Sequence, residues 1–178
     1  MGYFKILATP VSGPKPFSVT DFLRSTLQSR PDLCLAYCFL VVTDHILEPD
    51  NLQLITKIQD QHEAEIGKSK TYIPQRYLDQ FDVEEQHLER NIESALQNFG
   101  SAMIIYPVPG KDYDHALAVL ENPDNATLHV TSTSPKTEKG LPIRLKFSNV
   151  QSFISSLTEK GINDFQTLCY PEKSAPSA

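Results

Sequence analysis

Between Pro31 and Thr43 the chain reads Leu33-Cys34-Leu35-Ala36-Tyr37-Cys38-Phe39-Leu40-Val41-Val42, with no charged residue in the run. Whatever such a segment folds into must be covered on all sides, because each large apolar side chain left in water forgoes about 1.5–3 kcal/mol. Apolar residues fall on both alternating faces, which predicts a central strand sandwiched between two layers. On that reading Cys34 and Cys38 lie on one face about 13 Å apart, too far for a disulfide.

The rest of the chain has to supply those layers. With 178 residues, 40% apolar and 21% charged, there is material for one core and not for two ordinary domains. This predicts one domain over residues 1–172 and a frayed tail over 173–178, where Lys173-Ser174-Ala175-Pro176-Ser177-Ala178 is low in complexity. A strand is expected over Tyr3–Val11. Ser18-Val19-Thr20-Asp21 resembles a capping box and opens a helix that Pro31-Asp32 ends. The loop between them, Thr9–Lys15, is placed where phosphate often binds backbone N–H groups. Its prolines remove those donors, so it reads as a rigid connector.

Pro49-Asp50 starts a second helix to about Ile66, with Leu54, Ile55, Ile58, His62 and Ile66 near one face. A third helix is expected to begin at Asp82 as its cap, with Glu85 in the reciprocal position. Leu88, Ile92, Ala95, Leu96 and Phe99 form its buried stripe, and Gly100 supplies the stop. The stretch Gly67–Phe81 reads as a long loop bearing Tyr72, Ile73, Tyr77, Leu78 and Phe81, an interaction segment or a covering flap.

After Ser101 the period changes to that of strands. Ala102–Tyr106 is a short apolar run, and the turn signal Asn122-Pro123-Asp124-Asn125 joins 115–121 to 126–133 as a hairpin. Leu141–Phe147 extends the meander across the polar loop Ser134–Gly140. Ser148-Asn149-Val150-Gln151 caps a last helix that Gly161 ends, and a strand follows near Phe165–Tyr170. The order β-α-β-α-α, then strands, then α-β, departs from parallel Rossmann alternation. It predicts an α+β fold with a mainly antiparallel sheet and helices packed on it.

Charge narrows the partner classes. The net charge of -6 disfavours polyphosphate, and no basic, aromatic-rich patch argues for nucleic acid. The excess lies between residues 49 and 99, where ten acids face five bases. Three cysteines, Cys34, Cys38 and Cys169, without a Cys-x-x-Cys pair, predict a reduced, cytoplasmic setting. The first residues read as neither a signal peptide nor a membrane span. Asn125-Ala126-Thr127 matches a glycosylation acceptor and reads as a chance match in that setting.

Candidate chemistry is sparse. Asp44-His45, joined in space by His115 or His129, would form an acid–base site. Glu84-x-x-His87 has helical metal-ligand spacing, but its nearest counterpart, Gln59-x-x-His62, offers an amide for a carboxylate. A solvated charged face accounts for both, and neither metal nor cofactor is expected. Cys34 and Cys38 read as buried, and Cys169 as the most accessible thiol. The leading expectation is therefore a non-enzymatic interaction protein of inhibitor, immunity or adaptor type. It would meet a basic partner protein through an acidic helical face bearing Glu84, Glu85, Glu89 and Glu93, with Tyr72 and Tyr77 beside it. The alternative is a small enzyme built on Asp44, His45 and another histidine.

Overall fold

The apolar run at 33–42 is a helix. In the computed structural model, which describes residues 33–46, 49–65, 73–133 and 143–173, it forms α1 (Cys34–Val42), with Leu35 through Val41 all buried. This corrects the expected central strand: an unbroken apolar run has no periodicity to separate a buried strand from a buried helix. The expected strand Tyr3–Val11, the helix after Ser18, the loop Thr9–Lys15, Tyr72, the loop Ser134–Gly140 and residues 174–178 lie outside the described residues.

The helix α2 (Pro49–Glu65) packs on α1 and buries Ile55, Ile58, Gln59 and His62. Within the stretch expected to be a loop, α3 (Gln75–Gln80) forms one and a half turns and buries Tyr77 and Leu78. The strands are β1 (His87–Glu89), β2 (Ser101–Pro107), β3 (Asp114–Glu121), β4 (Leu128–Ser132), β5 (Ile143–Phe147) and β6 (Gln166–Cys169). They make a six-stranded sheet in the order β1-β6-β2-β3-β4-β5, antiparallel throughout. The helices α4 (Ile92–Phe99) and α5 (Val150–Glu159) complete the described elements. The expected α+β class with an antiparallel sheet is thus the observed one.

Side chains alternate across the sheet, so each face has its own core. Met103, Ile105, Ala116, Ala118, Leu120 and Leu168 face α1. Ala102, Ile104, Val119, Leu128, Val130 and Cys169 face α4 and α5, meeting Ile92, Leu96, Phe153 and Leu157. With α2 packed on it and Phe81, just after α3, against Phe39, α1 has almost no exposed surface.

Polar contacts pin α1 inside this apolar surround. The Tyr37 hydroxyl lies 2.9 Å from Thr131 Oγ1, and Cys38 Sγ donates to the Ala116 carbonyl at 3.4 Å. Leu33, at its N-terminus, offers no side-chain cap. The buried Gln59 substitutes from α2, its Oε1 accepting the Ala36 N–H at 3.3 Å while its Nε2 donates to Glu63. An N–H of the first helical turn thereby finds a partner where water is excluded.

Helix ends explain a second correction. Asp82 does not cap a helix that follows it. It sits at φ 55° directly after α3, with Val83 N–H bonded to Leu78 O and Asp82 N–H to Asp79 O. That pair of bonds is a Schellman closure with aspartate in the left-handed position that glycine usually takes. The same closure ends α1 at Asp44 (φ 61°) and α5 at Gly161 (φ 77°). From Asp82 the chain runs extended into β1, and α4 begins ten residues later, where Asn91 Oδ1 accepts the Ser94 N–H at 2.8 Å. Asn149 caps α5 in the same way, and the predicted 122–125 turn closes the β3–β4 hairpin.

These ends give a direct test. Asn91→Ala is expected to lower stability by about 1 kcal/mol, because it leaves a helix N–H without its acceptor. Asp82→Gly is expected to raise stability by up to about 1 kcal/mol by relieving the left-handed backbone. Urea unfolding of both variants checks this. Destabilisation by Asp82→Gly with a neutral Asn91→Ala would place the cap at Asp82 after all.

Candidate functional site

The four residues of the acid–base reading occupy separate places. Asp44 is the exposed left-handed residue that closes α1. His45 N–H completes that closure on Leu40 O, and its ring lies 5.1 Å from Phe81. Phe81 in turn packs edge-on against Phe39, which meets Tyr170 just beyond β6. His129 faces the α1 side from β4, opposite Leu120 and Lys146. Three strand spacings, about 14 Å, separate β4 from β6. His115 projects from the opposite face of the sheet, toward α5.

His115 is the most altered of the group. Burial pulls its pKa down to about 4, so the ring is neutral at pH 7. Its Nε2 lies 3.0 Å from Ser132 Oγ, and that oxygen lies 2.5 Å from the Ala116 carbonyl. A hydroxyl has one proton to give, and the carbonyl takes it, so His115 donates Nε2–H to Ser132. The arrangement orients an imidazole and leaves Ser132 unactivated, the reverse of a nucleophile and its base. Tyr106, opposite His115 in the β2–β3 register, sets its ring at 77° to the imidazole, centroids 5.8 Å apart.

The metal spacing loses its helix. Glu84 lies in extended chain before β1, and His87 is on β1, its Nε2 3.1 Å from Glu85 and its ring against Phe99. Gln59 is committed to Ala36 and Glu63 inside α2. Among the described residues no three His, Cys, Asp or Glu side chains are grouped to hold a metal ion. None of the described helices is long and apolar enough to cross a membrane.

The acidic helical face is likewise corrected, since Glu84 and Glu85 precede β1, Glu89 ends it, and only Glu93 is helical. Glu93 sits in the first turn of α4, where a negative charge complements the helix dipole, and accepts a hydrogen bond from Gln151 at 3.1 Å. Tyr77, expected beside this face, is 4% exposed and belongs to the core against α1. Glu84, Glu85 and Glu89 instead lie in and just before the terminal strand of the sheet. Leu88, assigned to a buried stripe by its spacing, stands 68% exposed among them. A three-residue strand is too short for alternation to reveal it.

The thiols correct one more expectation. Cys169 is 1% exposed, its Sγ lies 3.5 Å from Ser101 O, and burial pushes its pKa up to about 12. Cys38 is fully buried, and its pKa is raised by the same desolvation. Cys34, one helical turn before Cys38, is the partly exposed thiol. Labelling of the native protein is expected to modify Cys34 first, with Cys38 and Cys169 reacting only on unfolding. Mass spectrometry of a labelling time course reads the order, and early modification of Cys169 would contradict its place in β6.

The His115 environment sets a pH dependence. Because its folded pKa lies below the ordinary 6.5, the unfolded chain binds the proton first. Stability is full above about pH 6.5 and is lost as pH falls toward 4, by roughly 3 kcal/mol at most. His115→Gln is expected to flatten unfolding free energy between pH 6.5 and 4.5. A variant with the wild-type slope would assign the loss to other groups. Compared with known proteins, the chain matches no protein-family model and no curated sequence.

Proposed function

We propose that this chain is a cytoplasmic protein-interaction module of inhibitor or adaptor type, and that it meets a basic partner at the β1 edge of its sheet. One observation carries this reading: Leu88 stands exposed on a terminal strand, with Glu84, Glu85 and Glu89 within four residues of it along the same edge. An exposed apolar residue on an edge that also carries carboxylates suits a partner that brings lysine or arginine beside an apolar side chain. Charge then steers the encounter, while burial of Leu88 supplies affinity. An edge strand also has one side without a neighbouring strand, the place where a partner chain adds to a sheet. Among the described residues, β1 is joined on one side only, to β6.

The scattered histidines support the same reading, because His45, His115 and His129 are held apart by strand order and by opposite faces of the sheet. The acidic edge needs no such convergence. Its residues are contiguous in sequence and held by local structure, with Glu84 N–H bonded to Pro171 O and Val83 bridged to Glu172.

The test separates charge from apolar contact. Replacing Glu84, Glu85 and Glu89 together by lysine, and separately Leu88→Asp, is expected to leave the fold intact, since Glu84, Glu85 and Leu88 are exposed and Glu89 is only half-buried at the end of β1. Each change should reduce retention of wild-type partners from lysate about tenfold or more, quantified by mass spectrometry at low and moderate salt. Equal retention by wild type and both variants would remove the β1 edge as the binding surface.

A further inference from the structure

At the other end of the sheet, far from β1, α5 does not fully close over β4 and β5. A cleft of about 120 Å³ remains between them. Its walls are apolar, with Leu117 and Val130 on the sheet, Phe147 on β5, and Phe153 and Leu157 on α5. Phe147 and Phe153 hold their rings 5.2 Å apart at 55°, and the cleft opens past Leu145, which is 42% exposed.

Beside Tyr106, Thr131, Ser132 and Ser156, two polar residues of the lining bear on what the slot could hold. His115 reaches it from β3 with Nε2–H already given to Ser132, so its remaining ring nitrogen, Nδ1, is an acceptor. Lys160, the last residue of α5's closing turn, lines the same cleft from its exposed end. No carboxylate among the described residues pairs with the Lys160 ammonium. A cation at the rim, an apolar slot behind it and a neutral acceptor on one wall define complementary chemistry.

From this geometry we propose that the cleft is a small-molecule site for an aromatic monocarboxylate, its ring between α5 and the sheet and its carboxylate on Lys160. A slot of this volume is close to those that hold a single benzene-sized ring. Its apolar walls with a few placed polar groups follow the usual make-up of ligand sites. A ring hydroxyl on the ligand would find the His115 acceptor. The proposal is independent of the β1 edge, so failure of either leaves the other standing.

The experiment is a titration of the purified protein, followed by protein-observed NMR, with benzoate, 4-hydroxybenzoate and neutral benzyl alcohol. A ligand of this size is expected to bind with a dissociation constant between about 0.1 and 5 mM. Lys160→Ala, at an exposed position, should weaken both carboxylates about threefold and leave benzyl alcohol unchanged, in keeping with a rim ion pair. Leu145→Trp, on the exposed edge strand, should fill the mouth and abolish binding of all three, while the spectrum stays that of the folded protein. Absence of saturable shifts in wild type up to about 10 mM would overturn the proposal. So would binding that survives Leu145→Trp, or carboxylate affinity indifferent to Lys160→Ala.

Discussion

Everything in this fold is arranged around the need to keep α1 out of water. Its residues are apolar all the way round, so one covering layer is not enough. The sheet takes one side, and α2 packs on α1 from another. Burial on both sides also removes water from the polar groups that α1 carries. The hydrogen bonds from Tyr37, Cys38 and Ala36 are therefore obligatory, since each buried group left without a partner costs about 1–3 kcal/mol. The amide of Gln59, which stood where a metal site would have needed a carboxylate, serves this end.

The second half of the chain was legible in its sequence because its signals are local. Asn122-Pro123-Asp124-Asn125 is a turn by the chemistry of its own side chains, and alternation on either side shows which residues face inward. Asn149 before an apolar stripe marks a helix start without help from the tertiary structure. The first half resisted for the opposite reason. At 33–42 every position is apolar, so there is no contrast from which to read a period. At Asp82 the residue type suits either a helix start or a left-handed helix end, and the Leu78 carbonyl, accepting from Val83, decides which. Reading Asp82 as a start carried Glu84, Glu85, Leu88 and Glu89 onto a helix that does not exist.

The candidate sites show the same division. Histidine positions were visible in the sequence, but whether they met depended on strand order, which residue spacing does not encode. Adjacent residues Asp44 and His45 looked like a pair and are parts of a backbone closure. Glutamates that looked helical kept their proximity, because neighbours along a chain stay neighbours in any conformation.

The strand order also bears on how the molecule is assembled. The hairpins from β2 through β5 join neighbours in sequence and need little loop closure. Among the described residues the terminal strand β1 joins the sheet through β6 alone, so its pairing of His87 with Cys169 spans most of the described second half. During synthesis the meander can form while β1, already emerged, has nothing to pair with. Its exposed Leu88 and the carboxylates along the same edge acquire a fixed geometry only once residues 166–169 slot in beside β2. The acidic edge is thus complete only when β6 is in place, and a nascent chain ending short of β6 would carry the same residues without that strand to pair β1.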